Sequence, residues 1–126
     1  MTKSIEFYFD FVSPYTYLAH KRIMNIERSE NIKFIYKPIL LGGLHNLSKI
    51  TPAAFIKAKK KFTIYDCEIV AKKFNIEFKF NDNFPINTLS LMRGALIVDK
   101  NKIKQYIEKF FDAYWAFNLN LSDNKI

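Results

Sequence analysis

Positions 5 to 11 of the chain alternate. Ile5, Phe7, Phe9 and Phe11 fall on one side and Glu6, Tyr8 and Asp10 on the other, which predicts a β-strand over Ile5 to Phe11. Ser13 follows as a preferred helix N-cap, and Pro14 sits at a first helical position where its missing N–H costs nothing. A helix is therefore expected from Pro14 to about Arg28. A second strand, Ile32 to Lys37, is stopped by Pro38. Strand, helix and strand with short joints make a βαβ unit, whose strands run parallel and whose crossover is right-handed. The segment Ile39 to Leu44 is apolar and holds the pair Gly42-Gly43, so it is expected to be an ordered turn.

From Pro52 the period changes. Phe55, Ala58, Phe62, Tyr65 and Ile69 recur at threes and fours, which predicts one long amphipathic helix from Pro52 to about Phe74 with that stripe in the core. A short extended piece, Ile76 to Phe80, leads into the turn Asn81-Asp82-Asn83. Thr88 opens a further helix with Leu89, Met92 and Leu96 on one stripe, and a last helix carries Ile103, Ile107, Phe110, Tyr114 and Phe117. The tail from Asn118 to Ile126 is polar. Two strands make only a ribbon, whereas a parallel sheet covered by helices has more strands and buries its edges. The expected class is α/β with an incomplete sheet.

Composition narrows the picture. With 126 residues, 49% of them hydrophobic and only three Gly and four Pro, the chain has enough apolar surface for one folded unit and is not disordered. Cys67 is its single cysteine, which excludes an intrachain disulfide, a C-x-x-C pair and a cysteine-built zinc cage, and makes a reducing, cytoplasmic setting the expectation. Glu6 and Asp10 interrupt the opening apolar stretch, so it does not read as a signal peptide, and no run approaches the roughly 18 apolar residues of a membrane span. The net charge of +8 comes almost wholly from lysine, beside only Arg22, Arg28 and Arg93. Lys57, Lys59, Lys60 and Lys61 form one cluster, and Lys100, Lys102 and Lys104 another. The scarcity of arginine and the helical spacing of the aromatics argue against base readout. No nucleic acid, membrane or metal partner is expected.

The chemistry concentrates in Ser13-Pro14-Tyr15-Thr16, at the strand-to-helix junction. In a thioredoxin-like domain the C-x-x-C pair sits there, because the helix N-terminus offers free N–H groups and partial positive charge to a thiolate. Serine and threonine replace both cysteines here, which excludes thiol–disulfide exchange by the chain itself. A hydroxyl at that place can donate a hydrogen bond to the thiolate of a bound thiol. It also serves as a plain N-cap, and residue type alone does not separate the two.

Phe7 to Ala19, F-Y-F-D-F-V-S-P-Y-T-Y-L-A, resembles the opening of the 2-hydroxychromene-2-carboxylate isomerases and kappa-class glutathione transferases, a DsbA-related branch of the thioredoxin superfamily. Pro38-Ile39-Leu40-Leu41-Gly42-Gly43 is similar to that family's P-x-L-L-G-G. Ala58-Lys59 with Phe62 and Asp66 is similar to its A-K-x-x-[YF]-x-x-x-D, Phe84 to Thr88 with Arg93 downstream to its F-P-x-N-T block, and Ala113-Tyr114-Trp115 to its A-Y-W. The resemblance implies a thioredoxin-like βαβ half over residues 1–50 and an inserted helical domain over residues 51–126. It implies glutathione as cofactor, a small-molecule substrate and a homodimer. Ser13 would hold the glutathione thiolate as attacking nucleophile, with Pro14 and Tyr15 beside it.

By the same resemblance Lys59 would pair with a carboxylate of glutathione or substrate, and Asp66 would touch glutathione, across a dimer interface if one forms. Asn87 would hold the substrate or the pocket loop, and Arg93 would meet a carboxylate in a two-pronged bond. Each has a plainer reading: a solvated lysine face, a lysine partner for Asp66, a helix cap for Asn87, a surface position for Arg93. His20 and His45 match no motif role and are expected to be structural, Cys67 a small semi-buried residue, and Trp115 core. The family's glutathione-contacting asparagine falls on Ile50, with Asn46 the nearest substitute. The family's last third, with its cis-proline loop, further strands and γ-glutamyl grip, has no counterpart here. The alternatives are therefore an inactive fragment or one half of a split enzyme that a separate C-terminal chain completes.

Overall fold

The computed structural model describes residues 2–122, so Met1 and the last four residues of the expected polar tail lie outside the described range. β1 (Lys3–Phe9) and β2 (Ile32–Pro38) pair in parallel, with Ile5 opposite Phe34 and Phe9 opposite Pro38. α1 (Pro14–Ser29) joins them. Then come α2 (Leu41–Ser48), a single 3-10 turn (Ala53–Phe55), α3 (Lys57–Lys73), α4 (Leu89–Ile97) and α5 (Ile103–Trp115). None of these helices is long and apolar enough to cross a membrane.

The βαβ unit is as the alternation predicts, with three adjustments. β1 ends at Phe9 rather than Phe11, because Asp10 leaves the strand to bind the backbone of the next two segments. Ile5, expected inside, is exposed, since only Phe7 and Phe9 reach the layer of helices. The glycine pair does not make a turn: Leu41–Ser48 is a helix, whose last turn closes through the left-handed backbone of Lys49 (φ 53°). Gly42 and Gly43 sit in its first turn, where glycine's penalty is smaller than mid-helix.

α3 carries the largest correction. It starts at Lys57, not Pro52, and the predicted stripe points outward: Phe62 is 65% exposed and Tyr65 63%, with Phe55 and Ile69 exposed too. The inward stripe is Lys60, Thr63, Cys67 and Ala71, of equal helical periodicity but smaller side chains. Small residues let α3 approach α1, and Cys67 is fully buried rather than semi-buried. In α4 Met92 is buried while Leu96 is exposed, and α5 ends before Phe117, which is exposed. Residues 76–80 form no strand, although Lys79 N–H donates to Trp115 O at 2.7 Å.

The core is one aromatic cluster drawn from both halves of the chain. Phe9, Phe11, Tyr17, Phe111, Tyr114 and Trp115 are fully buried. Phe11 meets Phe111 edge-on at 5.0 Å between ring centroids, and Phe78, Phe80 and Phe84 surround Trp115 at 5.3 to 5.9 Å. The indole N–H donates to Phe11 O at 2.8 Å, so α5 is tied to the segment after β1 by both packing and a buried hydrogen bond. Gly94 is needed where α4 crosses α5, because a Cβ there would collide with the Tyr106 hydroxyl, which donates to Leu91 O at 2.7 Å. Trp115→Ala is expected to lower stability by about 3–5 kcal/mol in urea unfolding followed by circular dichroism; a loss near zero would refute the central place of this cluster.

Beneath the sheet, His20 is buried against the Phe111 ring, with Nδ1 2.7 Å from the Tyr36 hydroxyl and Nε2 donating to Glu108. Lys21 donates to Glu108 and also pairs with Asp112 at 2.6 Å. These donors, His20 first, hold the Glu108 carboxyl down at about 2, against an ordinary 4.5. A carboxyl depressed in the folded state stabilises above its unfolded pKa and loses that contribution as pH falls. Stability should thus decline from about pH 4.5 through pH 2, and Glu108→Gln should flatten that part of the urea-melt profile. An unchanged profile in the variant would refute it.

Candidate active site

The site begins with the exit from β1. Ser13 takes extended backbone angles (φ −92°, ψ 114°) and its Oγ accepts from Thr16 N–H at 3.2 Å, so the serine is an N-cap as its position predicts. Accepting uses a lone pair and leaves the O–H free to donate. Pro14 contributes no N–H, and the N–H of Tyr15 finds no acceptor among the described residues. The N-terminus of α1 therefore presents one hydroxyl and one amide donor to the same cavity.

That cavity measures about 680 Å³ and is bounded by the Ser13 loop, the first turn of α2, the 3-10 turn, α3 and the Phe84–Thr88 segment. Its lining is mostly apolar, from Val12, Leu40, Phe55, Phe80, Phe84 and Ile86. Such a volume with a few convergent polar groups is the ordinary make-up of a small-molecule site. Among the described residues no cluster of His, Cys, Asp and Glu could hold a metal ion.

One carboxylate holds these walls together. Asp10, 1% exposed, accepts from Thr88 Oγ1 at 2.6 Å and Val12 N–H at 3.0 Å through Oδ1, and from Leu41 N–H at 2.8 Å through Oδ2. Its backbone oxygen accepts from Ser13 N–H at 3.0 Å and from Thr16 Oγ1 at 2.9 Å. Three segments distant in sequence thus meet on one residue. Sequence reasoning missed Asp10 and Thr88, because alternation in the strand assigned Asp10 to the solvent side.

The residues singled out in the sequence divide. Ser13, Pro14, Tyr15, Asn46 and Asn87 all line the cavity, as does His45, which had no expected role there. Asn87 Oδ1 also accepts from Leu89 N–H at 3.0 Å, so it holds the first amide of α4, one residue before the Thr88 N-cap, while lining the cavity. Asp66 stands outside the lining, yet accepts from the Tyr15 hydroxyl at 2.8 Å rather than from a lysine. Burial, and then this bond, push the Tyr15 phenol up to about 12. Lys59 and Arg93 are exposed and outside the lining; the cation that lines the cavity is Lys60. Ile50 is exposed just past α2, also outside it.

A family profile described as the DSBA-like thioredoxin domain matches residues 4–126. The chain belongs to that family. It is 31% identical over 90 residues to a 2-hydroxychromene-2-carboxylate isomerase of Sphingobium xenophagum, covering 67% of this chain and 44% of that protein. A glutathione S-transferase kappa 1 of Rattus norvegicus is 22% identical over 116 residues, covering 88% and 51%. A solved structure of a 2-hydroxychromene-2-carboxylate isomerase superposes with a TM-score of 0.85 at 22% identity, over 98% of this chain and 61% of that one. The thioredoxin-like α/β fold is thereby shown, and the chain spans about half the length of the curated relatives it matches.

Removing the Asp10 carboxylate strands three donors in an enclosed place. Asp10→Ala should cost roughly 2–5 kcal/mol and Thr88→Val about 1, measured by urea unfolding. An Asp10→Ala variant within about 0.5 kcal/mol of the parent would show that the network holds nothing.

Proposed function

We propose that the Ser13 cavity binds glutathione and that the chain works as a glutathione-dependent isomerase or transferase of the 2-hydroxychromene-2-carboxylate isomerase and kappa-class type. The observation that carries the reading is the free O–H of Ser13 at the N-terminus of α1, directed by its cap bond and set in a largely apolar cavity. Its donor set fits a thiolate: a hydroxyl, an unused Tyr15 N–H and the positive end of a sixteen-residue helix. Glutathione, when bound, supplies a sulfur nucleophile for addition to an electron-poor carbon. Ser13 donates to that sulfur and stays covalently free. The apolar lining excludes water from the thiolate and strengthens both donors. Tyr15, held by Asp66, and Asn87, held by Leu89 N–H, line the same cavity.

The relatives' names support this reading, and the buried lone Cys67 supports a reducing, cytoplasmic setting. A second reading rests on the ribbon, since among the described residues β1 and β2 pair only with each other. In it a further chain, a second copy or a complementing one, adds strands and completes the grip on glutathione.

Calorimetric titration of reduced glutathione, with the thiolate's ultraviolet absorbance followed in parallel, tests the first reading. Ser13→Ala should weaken binding by about tenfold and abolish thiolate absorbance at neutral pH, the loss expected for one hydrogen bond to a charged group. Equal affinity and equal ionisation in both proteins would rule out the assigned role of Ser13.

A further inference from the structure

His45 lines the cavity, and no sequence motif assigns it a role there. Its place follows from α2. His45 stands one helical turn after Leu41 on the half-buried face, while Leu44 and Leu47 point to solvent. Asp10 pins the start of that helix, with Oδ2 accepting from Leu41 N–H at 2.8 Å, and its backbone oxygen accepts from Ser13 N–H at 3.0 Å. The carbonyl of His45 accepts from Ile50 N–H at 3.0 Å, which closes α2 on this residue. One residue thus anchors both the Ser13 hydroxyl and the helix that carries the imidazole to the same cavity.

Among the described residues His20 is the only histidine whose ring has a hydrogen-bond or ion-pair partner, so the His45 imidazole is unengaged. The other titratable side chains of the lining are Asp10, Tyr15 and Lys60. Asp10 has both carboxylate oxygens committed to Thr88, Val12 and Leu41. Tyr15 gives its hydroxyl to Asp66, and burial pushes that phenol up to about 12. A lysine ammonium is by type a far weaker acid than an imidazolium. Of the four, the imidazole is the group suited by type to give up and recover a proton near neutral pH.

We propose that His45 is the proton donor of this cavity, bonding to the carbonyl oxygen of a carbonyl-conjugated electrophile and protonating it as sulfur adds. The proposal rests on the glutathione reading of the Ser13 site for its sulfur and deepens it with a second catalytic group. In the step a bond forms between sulfur and the far carbon of the conjugated system, the double-bond pair moves toward the oxygen, and the imidazolium proton goes to that oxygen. Neutral imidazole remains and regains its proton from water, while the enol returns to the ketone by gaining a proton on carbon and releasing one from oxygen. Charge on sulfur and charge developing on oxygen then each meet a donor, from different walls of one apolar cavity.

The first test omits glutathione. The uncharged enone 4-phenyl-3-buten-2-one is bound to the protein, and its carbonyl stretch is followed by difference infrared spectroscopy. The stretch should move to lower frequency in the parent, in Lys60→Met and in His45→Gln, whose amide still donates. In His45→Phe the shift should vanish, with enone affinity down about fivefold, the loss of one hydrogen bond. With glutathione present, His45→Gln should add it to the enone about a hundredfold more slowly than the parent, at unchanged glutathione affinity and thiolate absorbance. The parent's fall in kcat above neutral pH should be absent from that variant, since a protonated donor is lost as pH rises, and added imidazole should restore turnover to His45→Ala. An unshifted stretch or no enone binding in the parent, a shift that survives in His45→Phe or is lost in Lys60→Met, or equal turnover in His45→Gln and parent would overturn the proposal. Failure of glutathione to bind, with the carbonyl shift present and lost in His45→Phe, would instead overturn the reading of Ser13 and leave the His45 contact standing.

Discussion

The enclosed carboxylate of Asp10 is the constraint on which the site depends. A charge with almost no solvent contact persists only where hydrogen bonds replace its hydration, and here the replacements come from Thr88, Val12 and Leu41. Each donor belongs to a different wall of the cavity. The β1 exit, the start of α2 and the start of α4 are therefore positioned by the same demand, and Ser13 inherits its place from the backbone oxygen of that residue. The energetic need of one group becomes the shape of a binding cleft.

The second anchor is apolar. Phe11 lies one residue beyond Asp10 and both accepts the Trp115 indole bond and packs on Phe111, so the polar network and the aromatic core meet within two residues. The cavity thus has a rigid floor where α5 reaches it through Phe80 and Phe84. Polar groups that must hold a reacting atom still are best placed on such a floor, since loosening by even small amounts degrades alignment.

Local signals carried the βαβ unit because its cues agree: alternation in β1, a serine cap with Pro14 behind it, and Pro38 closing β2 all specify one geometry. The N-cap position of Ser13 is legible for the same reason. The helical region offered conflicting cues. In α3 a large aromatic stripe and a stripe of small residues have the same period, and close approach to α1 favours the small one, a tertiary choice that periodicity cannot express. Gly42-Gly43 reads as a turn locally, yet Asp10 binding Leu41 N–H at its start lets an eight-residue helix form there. Asp10 and Thr88 lie 78 residues apart, so their meeting leaves no trace in spacing. Lys60 and Lys59 differ only in the face they occupy, and that face is set by Cys67 and Ala71.

The chain has a single tryptophan, and its place gives the molecule a reporter of its own. Trp115 is sealed in the core, yet two of the rings packed on it, Phe80 and Phe84, are also walls of the cavity. A molecule entering the cleft presses on those rings, and through them on the only indole, without touching it. Intrinsic fluorescence of this protein therefore reads occupancy of the cavity and integrity of the core through one chromophore, with no label introduced.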